Sequence, residues 1–329
     1  MKTFVTVFVL IVTLLFTSAA WVVASRVDSD NRHRTLVSES KAILARLDGQ
    51  FSQVVKLLTT LQRVFANYVE VIPDVFELYV AIPWENTPGI RAVGFAPKLT
   101  YTQLPEYVAY ARQVITPVFR IAPEGRRDVY YPVENVVPSP SNTRLIGWDL
   151  SSDEDLGASI NSAVSSRKAV LSKPVRLAIE GDTSVIGVIP VYPARKDSSA
   201  KPTGISGVCF VQIDLAALIR AALVFSYDSS RISFVILDPD SDGSTGVLHR
   251  AGAASDGGDV YTGTLKIADK RWQVEFRAGS AFDGDSGEDL QGMILVGGLL
   301  FSLLSTAAAF VLVRRIPFGT RNPGVDNQS

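Results

Sequence analysis

The sequence from Arg144 to Pro193 decides the fold class of this chain: RLIGWDLSSDEDLGASINSAVSSRKAVLSKPVRLAIEGDTSVIGVIPVYP. Ser151 stands three residues before Glu154, a capping-box pattern that predicts the start of a helix. The apolar residues that follow recur on one helical face: Leu156, Ile160, Ala163 and Val164. Two β-rich runs, AVLSKPVRLA and SVIGVIPVYP, are joined by the turn-forming sequence EGDT and predict a hairpin. The order predicts either a wall that holds a small ligand or simply the α+β core of a globular domain.

Length and charge bound the possible functions. The chain has 329 residues, which favours about two folding units. Its 32 basic and 33 acidic residues are nearly balanced, so there is no reason to expect a nucleic-acid partner. The single cysteine, Cys209, lies in the apolar run GVCFVQI, which favours a buried small hydrophobic residue over a nucleophile.

Two apolar stretches predict membrane helices at either end of the chain. Thr3–Ala24 is free of charge and long enough to span a hydrocarbon core of roughly 30 Å. Small residues at 18–20 leave a cleavable signal peptide as the alternative. A second span runs from about Leu290 to Val313 and ends at Arg314 and Arg315, which predicts a cytoplasmic C-terminus. The domain between the spans is then expected on the extracytoplasmic side of a plasma or inner membrane.

A heptad pattern follows the first span and predicts a stalk helix. Its members alternate at steps of three and four: Leu44, Leu47, Phe51, Val54, Leu58, Leu61, Phe65 and Tyr68. The pattern fits a homodimer contact that carries motion to the membrane. It fits equally well a seam that packs on its own domain.

Two α+β units with antiparallel sheets are expected between the spans, separated by the polar loop from Ala194 to Gly204. No phosphate-binding, metalloprotease or nucleophile-elbow motif is present in the sequence, so we expect no enzyme activity, no cofactor and no metal. The run DPDSDG from Asp238 resembles the start of a calcium loop, but His249 stands where such a loop needs glutamate, which favours an ordinary hairpin loop. Asp149 either holds a polar ligand group or caps the following helix.

Three runs in this sequence resemble the CHASE domain, the extracellular sensory domain of many histidine kinases and nucleotide cyclases, including plant cytokinin receptors. They are GWDLSSDEDLGASINSAVSSRKAVLSKPVRL, IPVYP and GISGVCFVQIDLAALIRAAL. The resemblance implies a long N-terminal helix that carries two PAS-like units, with the ligand in the membrane-distal one. It implies four ligand-binding positions: Asp149, Leu171, Leu177 and Val188. Val188 stands where cytokinin receptors have threonine, so small-molecule sensing is carried over and the identity of the ligand is not.

The combined expectation is an α+β chain with these parts: a transmembrane helix at 1–25, a stalk helix at 26–72, a membrane-distal PAS-like unit at 73–193, a membrane-proximal PAS-like unit at 194–289, a transmembrane helix at 290–313 and a cytoplasmic tail at 314–329. Such a chain would be a membrane-anchored sensor that passes a conformational signal across the membrane. Family members continue into an output domain, so a separate signalling protein is an expected partner. The alternatives are an envelope protein-interaction module and the split or truncated input half of a receptor kinase or cyclase.

Overall fold

The computed structural model of the chain describes residues 2–67, 76, 87–176, 184–193, 204–224, 227–241, 246–253, 259–279, 281–282 and 290–315. The chain divides into two compact units, Met1–Thr35 with Ala281–Ser329, and Leu36–Ser280. Helices and antiparallel strands are mixed within the second unit, which confirms the predicted α+β class.

The elements are as follows. The helices are α1 (Lys2–Asn67), α2 (Leu104–Val114), α3 (Ser139–Asn142), α4 (Glu154–Ser166), α5 (Leu215–Leu223) and α6 (Leu290–Arg315). The strands are β1 (Ile90–Pro97), β2 (Leu99–Thr100), β3 (Val129–Tyr130), β4 (Asn135–Val137), β5 (Val170–Leu171), β6 (Val185–Val191), β7 (Gly207–Ile213), β8 (Ile232–Leu237), β9 (Val247–Ala251), β10 (Val260–Ile267) and β11 (Lys270–Ala278).

The first span and the stalk form one continuous helix, α1, as the sequence predicts. Six members of the heptad seam are buried within the chain, each at most 7% exposed: Leu47, Phe51, Val54, Leu58, Leu61 and Phe65. Leu44 is partly exposed, and Tyr68 lies outside the described residues. Phe65 stacks on Phe95 of β1, with ring centroids 4.2 Å apart. Phe51 meets Trp272 of β11 edge-to-face at 5.5 Å. Of the two alternatives for the seam, packing on its own domain is therefore the one that the structure contains.

The first sheet has the order β4-β1-β7-β6-β5. Strand β7 lies at its centre and pairs antiparallel with both β1 and β6. The sequence placed this strand in a second unit that begins at residue 194, but its hydrogen bonds place it in the first sheet. The chain crosses to the other sheet only after β7. All seven residues of this strand are buried, and a run as apolar as GVCFVQI favours a position where both faces of the sheet are covered.

The second sheet has the order β10-β11-β8-β9. Its hairpin β10–β11 is paired without interruption from Val260↔Arg277 to Ile267↔Lys270. The exposure of β11 alternates between the faces, and the inward side chains include Trp272, Val274 and Phe276. Helix α1 covers this inward face with Phe51, and so the stalk packs on both sheets.

The other compact unit contains the apolar part of α1 and helix α6. Both helices are long and apolar enough to cross a membrane. Gly298 of α6 lies directly against the side chain of Thr17, where a Cβ atom would collide with the threonine methyl group. A small residue is therefore required where the two helices meet.

Candidate functional site

Asp149 is held in place by backbone hydrogen bonds on both sides of its loop. Its N–H donates to the carbonyl of Ala122 at 2.7 Å, and the next residue, Leu150, donates to Tyr131 at 3.0 Å. Gly147 makes this approach possible because it has φ +80° and because a Cβ atom there would strike the carbonyl oxygen of Arg120. The loop is therefore fixed by the main chain, and the direction of the Asp149 side chain follows from it.

The Asp149 carboxylate is completely buried and committed mainly to structural donors. Its Oδ1 accepts hydrogen bonds from Tyr131 N at 2.8 Å, from Ser151 N at 3.1 Å and from Ser151 Oγ at 2.7 Å. Its Oδ2 lies 3.2 Å from Arg127 Nη1, an ion pair that lacks the geometry of a directed hydrogen bond. Burial, and then the charge of Asp149, raise the pKa of the Tyr131 hydroxyl to about 12.

The helix after Asp149 starts later than the capping-box pattern predicts. Asp149 caps a short 3-10 turn, Leu150–Ser152, and α4 then begins at Glu154. The residue that caps α4 is Asp153, whose Oδ1 accepts from Leu156 N at 2.9 Å. Ser151 does not cap α4 because its hydroxyl is turned back to Asp149. The prediction of a helix cap at Ser151 was wrong by two residues, and the alternative of a capping role for Asp149 applies to the 3-10 turn.

One face of the first sheet, helix α4 and the Asp149 loop enclose an apolar cluster. Val188 of β6 is fully buried in it and pairs with Val170 on one side and Phe210 on the other. The other members include the predicted helix residues Leu156, Ile160 and Ala163 together with Tyr131 and Leu150, which flank Asp149. The structure therefore brings two predicted site residues, Asp149 and Val188, to the same apolar cluster.

The other two predicted site residues do not join this cluster. Leu171 of β5 lies on the opposite face of the sheet, where its side chain and that of Leu58 from the stalk both approach Gly187. A strand exposes alternate residues to opposite faces, so Val170 enters the cluster while Leu171 faces α1. The Leu171 N–H donates to Asp269 Oδ1 at 2.8 Å, a contact from the β10–β11 turn. Leu177 lies outside the described residues.

Sequence reasoning missed Arg127 and the indole of Trp148. Arg127 is 22 positions from Asp149, and no periodicity joins a loop arginine to a distant aspartate. Trp148 Nε1 is buried and has no hydrogen-bond acceptor in the part of the chain that the structure describes. The adjacent residues Trp148 and Asp149 thus present a donor and an acceptor atom that the described residues leave unsatisfied or incompletely satisfied.

The interior of the cluster is closely filled by its own side chains. The ring of Phe210 lies over Gly94 of β1, so that a Cβ atom there would be 2.5 Å from the ring. A ligand would have to displace side chains from this face of the sheet or enter beside Trp148, which is partly exposed.

Two aspartates of the loop that resembles a calcium site lie close to a lysine of β11. Asp238 Oδ2 and Asp240 Oδ2 lie 3.7 and 3.8 Å from Lys270 Nζ. Asp238 Oδ1 accepts from Asp240 N at 3.1 Å, as in an ordinary turn after a strand. Residues 242–245 of this loop lie outside the described residues. The interpretation as a hairpin loop therefore agrees with the contacts that are described.

Comparison with protein families matches the chain to the CHASE domain at residues 70–249. This range contains Asp149, Leu171, Leu177 and Val188, and it covers more than half of the chain. A search of curated protein sequences gave no significant match.

Several solved sensory domains have a similar arrangement of elements. The ligand-binding domain of the Pseudomonas fluorescens chemoreceptor CtaA, in complex with L-leucine, has 11% identity and a TM-score of 0.47, with 78% of this chain and 97% of that chain covered. The periplasmic sensory domain of the Campylobacter jejuni chemoreceptor Tlp1 has 12% identity and a TM-score of 0.44, with 80% and 99% covered. An extracellular ligand-binding receptor from Desulfohalobium retbaense has 12% identity and a TM-score of 0.44; this chain covers 40% of its length, and 77% of this chain is matched.

Proposed function

This chain belongs to the CHASE domain family, and from that premise we propose that it is a membrane-anchored sensor of a small molecule. The domain between the two apolar helices would lie outside the cytoplasm, with Arg314 and Arg315 at the C-terminal end of α6 on the cytoplasmic side. Ligand would bind beside the Asp149 loop, and α1 and α6 would carry the response to the membrane. We propose a binding role for this site and not a catalytic one.

The observation that carries the proposal is the pair of polar atoms at Trp148 and Asp149. Trp148 Nε1 is a donor without an acceptor among the described residues, and Asp149 Oδ2 has only the ion pair with Arg127. A buried polar group without a hydrogen bond costs about 1–3 kcal/mol. A ligand that accepts from Trp148 and donates to Asp149 would recover this cost, which favours a ligand that carries both an acceptor and a donor group, such as an amide or a nitrogen heterocycle.

The contacts of the stalk supply a route for the response. Gln62 of α1 donates to the carbonyl of Pro190 in β6 at 2.7 Å, two residues after Val188. The same helix packs Phe51 on Trp272 of the second sheet. A displacement of β6 would therefore act directly on α1. Ligand can shift the helix only by binding its two arrangements with different affinity.

The proposed homodimer would use the exposed face of the stalk, because the heptad seam is buried in the chain itself. Lys56 and Thr60 lie on that exposed face. Cys209 is the only cysteine in the sequence and is fully buried. A disulfide between two chains would therefore report on the introduced cysteine. We expect Lys56→Cys to form a disulfide-linked dimer in membranes under mild oxidation. Arg250→Cys, on an exposed position of β9, is the control that should not cross-link.

Titration of the full chain in detergent with a panel of adenine derivatives and amino acids, read as a shift in melting temperature, tests ligand binding. A hit should lose affinity in Trp148→Phe, which removes only the indole donor, and in Asp149→Asn. The matched control is Trp272→Phe, because Trp272 Nε1 is also buried without an acceptor among the described residues but packs on the stalk. Equal loss in both tryptophan variants would contradict a site at the Asp149 loop.

A protein-interaction module is the second candidate, and the filled cluster favours it. Phe210 and Gly94 close the sheet face without a ligand. If a folded chain is stabilised by no compound of the panel, while a protein partner captured from the envelope still binds Asp149→Asn, the interaction module replaces the small-molecule sensor.

A further inference from the structure

A cleft of about 400 Å³ lies away from the Asp149 cluster and shares no residue with it. It is bounded by β1 and β6 of the first sheet, by α5 and by β9 of the second sheet. Part of its lining is charged, with Arg91, Asp214 and Arg220. Another part, called the apolar wall here, is formed by Val185, Leu215 and Leu248. Its size falls in the range of small-ligand sites, which is about 300–1,000 Å³.

Both carboxylate oxygens of Asp214 accept hydrogen bonds from other residues of the protein. Its Oδ1 caps α5 by accepting from Ala217 N at 2.9 Å. Its Oδ2 accepts from Arg91 Nη2 at 2.7 Å and from Arg91 Nε at 3.2 Å. Burial alone would raise the pKa of Asp214, but these hydrogen bonds and the charges of Arg91 and Arg220 outweigh burial and lower it below its usual value. Asp214 is therefore ionised at neutral pH and neutralises Arg91.

Arg220 is left as the uncompensated cation of the cleft. It lies in the last turn of α5, and its guanidinium has no carboxylate within 4 Å and no hydrogen-bond acceptor among the described residues. The nearby His249 does not add charge at neutral pH, because burial, and then the charge of Arg220, lower the pKa of its imidazole. The charged side chains that line the cleft thus sum to one positive charge beside an apolar wall.

We propose that this cleft is a second ligand site, which takes a small organic anion, either a carboxylate or a phosphate. The guanidinium of Arg220 binds the anionic group, because its planar set of donors matches carboxylate and phosphate oxygens. The apolar body of the ligand packs on Val185, Leu215 and Leu248. Because the walls come from both sheets, a bound ligand would contact the first sheet and the second sheet at once.

The site can be tested with two probes that share an apolar body, 4-methylpentanoate and isopentyl phosphate, and with the neutral amide 4-methylpentanamide. Calorimetric titration of the full chain in detergent should give saturable binding of at least one anion, and at least tenfold weaker binding of the amide. The tighter of the two anions identifies the anionic group. Failure of both anions to bind would overturn the proposal.

Four variants locate the binding. Arg220→Gln should lower the affinity for the anion at least tenfold. Arg250 is an exposed arginine on β9 outside the cleft, so Arg250→Gln should leave this affinity unchanged. Asp214→Asn keeps a capping oxygen but releases Arg91, so binding should tighten several-fold, which damage to the fold would not produce. Asp149→Asn should have no effect. Loss of binding in Asp149→Asn with normal binding in Arg220→Gln would place the anion at the other site and refute this one.

Discussion

Replacement of Asp149 separates its structural role from its role in ligand binding. In Asp149→Ala, the buried N–H group of Tyr131 and the partly buried N–H group of Ser151 lose their acceptor, which costs about 1–3 kcal/mol each. Arg127 also loses its ion pair, but its side chain is 24% exposed and can turn to water, so this adds at most about 1 kcal/mol. These contributions sum to about 2–7 kcal/mol. Because the Ser151 hydrogen bond is only partly buried, we expect Asp149→Ala to lower the free energy of unfolding by about 3–5 kcal/mol.

Asp149→Asn keeps an oxygen where Oδ1 accepts and removes only the charge. A charge-assisted hydrogen bond is roughly twice as strong as a neutral one, so this variant should cost about 1–2 kcal/mol. The cap variant Asp153→Ala removes one side-chain hydrogen bond, to Leu156 N, and should cost about 1 kcal/mol. The expected order of destabilisation is Asp149→Ala well above Asp149→Asn, with Asp153→Ala near the latter.

Thermal melting of the full chain in detergent, followed by circular dichroism, measures this order. For a domain of about 250 residues, 1 kcal/mol corresponds to roughly 2–4 °C in melting temperature. Asp149→Ala should therefore melt roughly 6–20 °C below the wild type. If it melts within the range of Asp153→Ala, the carboxylate does not hold the loop, and the reasoning from its three hydrogen bonds is refuted.

Three further variants probe the links around this site. Asp269→Ala should destabilise the chain by about 1 kcal/mol in urea unfolding, because the Leu171 N–H loses its hydrogen-bond acceptor. An unchanged free energy of unfolding would show that this contact between the sheets does not contribute to stability. His249→Gln should remove part of the acid sensitivity. A depressed histidine pKa means that the unfolded state binds more protons below about pH 6.5, so the wild type loses stability as pH falls through this window and the variant loses less. Gly94→Ala should unfold the chain or lower its melting temperature by more than Asp149→Ala does, because its Cβ atom would strike the Phe210 ring; a normal melting curve would contradict the close packing of this face.

Sequence periodicity predicted the helical elements best. The apolar residues of α4 lie on the cluster as their spacing predicts, and the stalk is one helix with its seam on one side. The position of the α4 cap was missed because three residues near Asp149 could each cap a helix, and the choice among them depends on where Tyr131 brings its N–H group. The candidate site was identified in part: Asp149 and Val188 meet at one cluster, while Leu171 faces the stalk.

The resemblance to the CHASE domain rested on three runs of particular residues. The spacing of residue types in the sequence determined the two apolar helices, the heptad seam and the α+β class. These follow from local spacing, which fixes the side of an element on which each residue lies. Tertiary structure decided what covers each side: β7 joined the first sheet, the seam packed on the chain's own two sheets, and Arg127 reached Asp149. The physical reason is that strand pairing and ion pairing join residues far apart in the chain, and the spacing within an element carries no record of its partner.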